Sequence, residues 1–288
     1  MSNRDWSLVF FTTLSQWSVG IILCLTWPVF VNHDSSLVFI TEPNLANPVL
    51  LALILIAGAT VSSFLHLGNP MNAPKALNNL SSSWLSREIF TIGIFSASLV
   101  FILLLGWGSD NPRFLRYLMA LSSMCGLALL WTMIRIYVMP TIPAWNSWYT
   151  PVSFVSTALS LGLVSLLVLQ ANGLVNVAGH IIRSASIALA TMLLIGTGSG
   201  FAYQSYLRRL DPGMDDLVFD SGVFYRLFLF RMALLIIALM MIVFAIPNAS
   251  VLEGMTGPSW LYPLFGLILL QELIGRLLFY SAYFRTGV

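Results

Sequence analysis

Residues 151–170 read PVSFVSTALSLGLVSLLVLQ and contain no charged side chain. An α-helix rises about 1.5 Å per residue, so a run of this length spans about 30 Å, the thickness of the hydrocarbon core of a bilayer. Apolar runs of comparable length recur along the chain, at about 7–31, 48–67, 88–107, 114–138, 151–170, 182–206, 223–246 and 259–284. The sequence therefore predicts an all-α integral membrane bundle of eight transmembrane helices, with residues 1–288 forming a single membrane domain.

The composition of the chain excludes several other classes of protein. Of its residues 58 % are hydrophobic and 8 % are charged, and the mean hydropathy is +0.88, whereas a soluble domain is about 45–50 % apolar and about 25 % charged. The runs are continuously apolar, while an outer-membrane barrel needs strands of alternating polarity. The net charge is only +2 and the basic residues are scattered, so nothing points to nucleic-acid binding.

Ionisable residues at membrane depth gather towards one end of the predicted bundle. Eight spans place both chain ends on the same side, which we call side A. The ionisable residues near that side are His66, Arg87, Glu88, Arg135, Glu272 and Arg276. An ionisable side chain in hydrocarbon costs roughly 2.5–3.5 kcal/mol, so a cluster at one end predicts a functional site. Glu272 and Arg276 are four residues apart on one helix and can pair.

The basic residues that flank the spans also predict an orientation. Six are on side A and three on the opposite side. They are Arg4, Lys75, Arg87, Arg208, Arg209 and Arg285 on side A, and Arg113, Arg116 and Arg183 on the other. The positive-inside rule then predicts that side A is cytoplasmic.

A base and a carboxylate at one membrane face suit the oxidation of a quinol. His66 ends the second predicted span and Glu88 begins the third. An imidazole, with an unperturbed pKa of about 6.5, can accept a hydroxyl proton at neutral pH, and a nearby carboxylate can pass that proton to water. The quinol ring also needs an apolar, aromatic slot. The aromatic residues on side A that can line or cover such a slot are Trp84, Trp145, Trp148 and Tyr149.

Each of these residues also has a structural interpretation, which the sequence leaves open. Glu88 can interact with the positive N-terminus of its helix, and His66 can bond the free carbonyls at the end of its own. Tryptophan and tyrosine are common anchors at membrane interfaces. Glu272 and Arg276 can be a structural ion pair inside the bundle.

The histidines and cysteines argue against a redox centre in this chain. A transmembrane haem needs two axial ligands facing one another at depth, and only His66 of the three histidines lies near a core position. Cys24 and Cys125 lie inside apolar runs without CxxC spacing, which predicts neither a disulfide framework nor an iron–sulfur cluster. If the protein oxidises quinol, the electrons must therefore leave to a partner subunit that docks on side A.

Three stretches around His66 and Glu88 resemble a known family. They are Phe64-Leu-His-Leu-Gly-Asn-Pro-Met71, Lys75-Ala-Leu-Asn-Asn-Leu80 and Ser83-Trp-Leu-Ser-Arg-Glu-Ile89. The membrane anchor subunit of dimethyl sulfoxide reductase-type molybdoenzymes has a similar His-Leu-Gly-Ser-Pro helix end, a Leu-Asn dipeptide and a Leu-Ser-Asn-Glu-Ile helix start. Asn69 replaces the usual serine and Arg87 the usual asparagine. Further likeness lies at Trp131–Tyr137, Pro143–Trp145, Tyr149–Pro151, Glu272–Arg276 and Phe279-Tyr280.

The resemblance implies an eight-helix anchor in the bacterial cytoplasmic (inner) membrane that oxidises menaquinol during anaerobic respiration. Electrons would pass to a ferredoxin-like iron–sulfur subunit and on to a molybdopterin catalytic subunit, with no haem and no iron–sulfur cluster in this chain. The quinol-site histidine and glutamate of the family correspond to His66 and Glu88. The family also implies catalytic subunits outside the cytoplasm, against the count of basic residues.

Our interpretation makes His66 the proton acceptor and Glu88 the relay, with no metal ligand. The residues expected to complete the quinol-binding pocket are Arg135, Trp84, Trp145, Tyr149, Glu272 and Arg276. Two alternatives remain: a multi-pass transporter, for which Gly196–Gly200 is the one stretch typical of a broken helix, and a passive membrane anchor without quinol chemistry. Under the quinol-oxidising interpretation, the protein would be a non-catalytic subunit of an oxidoreductase complex that carries out the quinol half-reaction.

Overall fold

The computed structural model describes residues 3–31, 46–64, 77–106, 112–175, 177–210, 222–246 and 259–282. These residues form the helices α1 (Asn3–Val31), α2 (Ala46–Phe64), α3 (Trp84–Gly106), α4 (Pro112–Tyr137), α5 (Tyr149–Ala171), α6 (Gly179–Leu210), α7 (Val223–Ala245) and α8 (Leu261–Ser281), with a 3₁₀ turn at Leu77–Asn79. All eight helices are long and apolar enough to cross a membrane. No strand occurs in these ranges. The predicted all-α fold with eight spans is confirmed.

The start of α3 differs from the sequence prediction in a way that matters for the site. The helix begins at Trp84, about one turn before the predicted start at 88. The Ser83 hydroxyl accepts a hydrogen bond from the Ser86 amide at 3.3 Å and so caps the helix. Glu88 is therefore the fifth residue of α3 rather than the first, beyond the turn in which the helix dipole acts most strongly.

The eight helices form two groups with the same arrangement. In the first ring, α1 to α4, each helix contacts the next and α4 returns to α1; in the second ring, α5 to α8, the pattern repeats. The rings meet along α1 and α5, and α8 also contacts α1. The sequence showed no internal repeat, so the shared arrangement is a property of the packing.

Small residues bring α1 and α5 together. A Cβ atom on Gly20 would overlap the carbonyl group of Ala158, and one on Gly162 would overlap that of Gly20. Beside this crossing the Trp17 indole donates to the Ser165 hydroxyl at 2.7 Å. Close backbone approach and interhelical hydrogen bonds are how helices associate where lipid removes the hydrophobic driving force.

The glycine-rich stretch Gly196–Gly200 lies inside the continuous helix α6. A Cβ atom on Gly200 would come within 2.9 Å of the Met232 side chain on α7. The small residues thus allow close packing of α6 against α7, and the feature that favoured a transporter is not a break in the helix.

Candidate functional site

A cavity of about 300 Å³ lies in the first ring, towards side A. Its walls include Phe11 of α1, Thr60, Ser63 and Phe64 of α2, and Leu85, Glu88, Ile89, Ile92 and Gly93 of α3. Phe64 and Leu85 are 44 % and 54 % exposed on the outer surface, whereas Phe11 and Glu88 are buried. The cavity therefore runs from the lipid-facing groove between α2 and α3 to a buried carboxyl group.

Glu88 is the acidic group in this largely apolar cavity wall. Its side chain is 5 % exposed, and its Oε1 atom has no hydrogen-bond partner among the described residues. An unpaired buried carboxylate is costly, and in a membrane it marks a functional site by default. Glu88 Oε1 is thus available to a ligand or water in the cavity. An interaction of Glu88 with the N-terminus of its helix, the structural interpretation, does not explain this free oxygen.

Two buried tyrosines, Tyr137 of α4 and Tyr280 of α8, bring their hydroxyl groups together inside the protein. The Tyr280 hydroxyl is 2.9 Å from the Tyr137 hydroxyl and 3.2 Å from the Thr12 hydroxyl. The Thr12 hydroxyl in turn donates to the Leu8 carbonyl at 2.8 Å. The sequence analysis included both tyrosines in the family likeness but gave neither a role in the site.

Trp145 covers the tyrosine pair. Its indole N–H donates to the Phe279 carbonyl at 2.8 Å, and its ring stacks on the Phe279 ring with 5.6 Å between centroids. The rings of Tyr137 and Tyr280 meet the Trp145 ring edge-on at 5.4 and 6.1 Å. Trp145 therefore packs over the hydroxyl cluster and is not among the residues that line the cavity.

Trp84 and Arg135 come together, but away from the cavity. The Arg135 guanidinium lies 5.0 Å from the Trp84 ring centroid, and that of Arg87 lies 4.2 Å from the same ring. Arg87 also donates to the carbonyls of Leu80 and Ser81 at 2.8 and 2.6 Å. These residues share the membrane level of Glu88, but Trp84 and Arg135 are not part of the cavity wall.

Glu272 and Arg276 belong to a second polar cluster, where α1, α5 and α8 meet. Arg276 Nη2 donates to Gln16 Oε1 at 2.7 Å and to the Thr157 hydroxyl at 3.0 Å. That hydroxyl donates to Glu272 Oε2 at 2.7 Å. The expected pair is therefore bridged by Thr157 instead of being in direct contact.

The same cluster continues into the second ring through Arg231. The Gln271 amide donates to Glu272 Oε1 at 2.8 Å, and Arg231 Nε donates to Gln271 Oε1 at 3.4 Å. Arg231 Nη1 donates to the Tyr149 hydroxyl at 3.1 Å. Tyr149 stacks on Tyr203 with 3.9 Å between ring centroids. Tyr149 thus lies in the second ring. The sequence analysis did not single out Arg231, a charged residue eight positions inside an apolar span.

His66 lies outside the described residues, as does His33. Among the residues that the structure covers, no group of three or more His, Cys, Asp or Glu side chains could hold a metal ion.

Eight helices that can span a membrane define a multi-pass integral membrane protein, and its lateral cavity ends at a buried carboxyl group. The chain belongs to the family described as DMSO reductase anchor subunit (DmsC), which matches residues 1–282. The predicted family is confirmed, and membership of an anchor-subunit family implies partner subunits.

Similar proteins have names of the same kind. A relative from Haemophilus influenzae, named as a chain of anaerobic dimethyl sulfoxide reductase, is 27 % identical over 98 % of this chain and 95 % of its own length. A relative of the same name from Escherichia coli (strain K12) is 29 % identical over 82 % of this chain and 80 % of its own. Anaerobic dimethyl sulfoxide reductase chain YnfH of the same strain is 29 % identical over 55 % of each sequence, so that match spans about half of the relative.

Proposed function

We propose that this protein binds menaquinol in the cavity of the first ring, oxidises it, and passes the electrons to an iron–sulfur subunit of a heterotrimeric molybdoenzyme reductase. The observation that carries the proposal is the buried carboxyl group of Glu88, whose Oε1 atom has no hydrogen-bond partner among the described residues, at the end of an otherwise largely apolar cavity. The family and the names of its relatives support the setting in anaerobic respiration.

The shape and lining of the cavity suit a lipid-soluble substrate. Its volume of about 300 Å³ is at the lower end of the range for small-molecule sites. The apolar wall suits a quinol ring, and the opening between α2 and α3 lets an isoprenoid tail stay in the bilayer. Thr60 and Ser63 also line this space, with their hydroxyls donating to the Ile56 and Thr60 carbonyls of their own helix.

Proton acceptance is the chemistry that the residues of the chain supply. A quinol loses two electrons and two hydroxyl protons, the electrons going to the iron–sulfur subunit. His66 follows Phe64, a cavity residue, by two positions in the sequence. We propose that His66 takes a quinol proton and that Glu88 relays it towards water on side A, where the partner subunits dock.

Inhibitor binding tests this site directly. The intact complex is titrated with a fluorescent hydroxyquinoline-oxide, which competes with quinol. Saturable quenching is expected in the wild type and is expected to vanish in His66→Arg and to weaken at least tenfold in Glu88→Gln. Glu272→Gln is the matched control, because it makes the same change in a buried carboxylate outside the cavity. Absence of quenching in the wild type would favour the passive anchor.

A further inference from the structure

Two arginines share one indole at the side-A ends of α3 and α4. The Arg87 and Arg135 guanidinium groups lie 4.2 and 5.0 Å from the Trp84 ring centroid. Arg135 also lies 5.9 Å from the ring centroid of Trp131, about one turn deeper on α4. Because Trp84 is the first residue of α3 and Arg135 is in the last turn of α4, this arginine–tryptophan cluster lies where both helices end. Tryptophan at helix ends is typical of the headgroup level of a bilayer.

No carboxylate among the described residues pairs with either guanidinium group of this cluster. Arg87 donates to the carbonyls of Leu80 and Ser81, and Arg135 Nε is buried without a hydrogen-bond partner in the described part of the chain. Glu88 follows Arg87 but lines the cavity. The helix ends do not compensate either, because the positive start of α3 and the negative end of α4 lie at the same level and cancel. Two like charges beside one indole repel each other, so the cluster favours an anion.

The side of α4 next to the cluster is apolar and faces outwards. Trp131, Leu127 and Met124 are all exposed, and their spacing of four and three residues places them on one side of the helix. Arg135 continues this side four residues beyond Trp131. A phospholipid matches both parts, because its phosphate reaches the guanidinium groups at the helix ends while its acyl chains lie along the exposed apolar side chains. A carboxylate of a partner protein would match only the charges.

We propose that Arg135 and Arg87 bind the phosphate group of an anionic phospholipid on the outer surface of the first ring, at the groove between α3 and α4. Arg87 uses Nε and Nη2 for two backbone carbonyls, so Arg135 supplies the main hydrogen bonds to the phosphate and Arg87 mainly its charge. The Trp84 indole holds both guanidinium groups by cation–π interactions, and little side-chain freedom is therefore lost when the phosphate binds. A zwitterionic lipid carries a cation of its own, which the two arginines repel, so the site prefers a lipid with a net negative charge.

This lipid site is separate from the cavity of the first ring. The cavity opens between α2 and α3, whereas the cluster joins α3 to α4, and neither Trp84 nor Arg135 is part of the cavity wall. A phospholipid at the cluster and a ligand in the cavity can therefore be bound at the same time. The proposal does not depend on quinol chemistry, and it can be tested without a quinol.

Thermal unfolding of the intact complex in two kinds of lipid nanodisc tests the preference. A ligand that binds only the folded state raises the unfolding temperature, so the wild type should unfold at a higher temperature in discs containing phosphatidylglycerol than in discs of phosphatidylcholine alone. Arg135→Gln should lose most of this rise and Arg135→Lys should keep most of it. Arg113→Gln, which removes an exposed charge at the other end of α4, should leave the rise unchanged. Each variant is compared with itself in the two lipids, so a general loss of stability does not affect the result, and equal rises in the wild type and Arg135→Gln would refute the site.

Native mass spectrometry of the complex, purified from an equal mixture of the two lipids, identifies what is bound. The wild type should retain phosphatidylglycerol in clear preference to phosphatidylcholine, and Arg135→Gln should lose most of this preference while Arg113→Gln keeps it. Saturation with the hydroxyquinoline-oxide should leave the retained lipid in place. Displacement by the inhibitor would show that the lipid occupies the cavity instead. Unchanged lipid retention in Arg135→Gln, together with loss of the partner subunits, would assign the cluster to an acidic surface of a partner protein, and either result would overturn the proposal.

Discussion

The two rings arrange four helices in the same way but use their interiors differently. The first ring has a cavity of about 300 Å³ at its side, between α2 and α3, where Thr60, Ser63 and Gly93 leave room. The second has a space of about 20 Å³ among all four of its helices, beside Arg231 and Tyr203. A space of that size holds about one water molecule. The two rings therefore differ in the volume that their side chains leave free and in the unpaired Oε1 atom of Glu88, not in the arrangement of their helices.

The largest effect is expected from the carboxyl group of the first ring. Glu88→Gln should lower quinol-dependent turnover about 100-fold or more, since a positioned general base contributes about 10²–10⁴ in rate. Turnover with a soluble viologen dye, which delivers electrons to the partner subunits directly, should stay at the wild-type level. Loss of both activities would mean that the variant disrupts assembly instead of proton transfer.

Filling the first cavity should affect the ligand more than the fold. A Cβ atom on Gly93 meets no heavy atom within 4 Å, and Gly93 lines the cavity. Gly93→Leu should therefore weaken binding of the hydroxyquinoline-oxide about tenfold and leave the unfolding temperature nearly unchanged. Fluorescence titration and thermal unfolding of the same preparation separate the two effects. Wild-type affinity would show that the ligand binds elsewhere.

Enlarging a glycine in the second ring should lower stability and leave inhibitor binding unchanged. A Cβ atom on Gly275 would come within 2.6 Å of the Arg231 guanidinium. Gly275→Ala should displace Arg231 and lower stability by about 1–3 kcal/mol, the usual cost of overpacking, while inhibitor affinity is retained. Gly266→Ala on the same helix is the control, because its Cβ meets nothing within 4 Å. Equal stabilities of the two variants would contradict the tight fit around Arg231.

The smallest effect concerns a single hydrogen bond of the second ring. The Tyr203 hydroxyl donates to the Ala144 carbonyl at 2.9 Å. Tyr203→Phe should lower the free energy of unfolding by about 1 kcal/mol, with no change in quinol turnover. Tyr117→Phe, at a side chain that is 72 % exposed, should change neither. A loss of turnover in Tyr203→Phe would give the second ring a part in the chemistry.

The sequence predicts the spans well because the length of an apolar run is a property of consecutive residues. The sequence also indicates Glu88 as a candidate site residue, because an ionisable side chain in hydrocarbon is energetically costly. It gives the depth of a residue along a helix axis, but not the direction in which the side chain faces. Trp84 and Arg135 were therefore grouped with Glu88, although they contact each other on the side of α3 that faces α4.

The hydroxyl and amide partners could not be predicted from the sequence. Arg276 and Gln16 are 260 residues apart in the chain, and Tyr280 and Thr12 are 268 apart. These contacts exist only because α8 packs against both α1 and α5. The start of α3 was missed for a local reason, the cap that Ser83 provides.

The opening of the cavity between α2 and α3 determines how binding has to be measured. A ligand that enters there comes from the bilayer and not from water, so the concentration that governs occupancy is its mole fraction in the lipid. An apparent dissociation constant in detergent should therefore rise in proportion to the amount of micelle, even though no contact in the protein changes. Affinities of variants are comparable only at a fixed ratio of ligand to amphiphile.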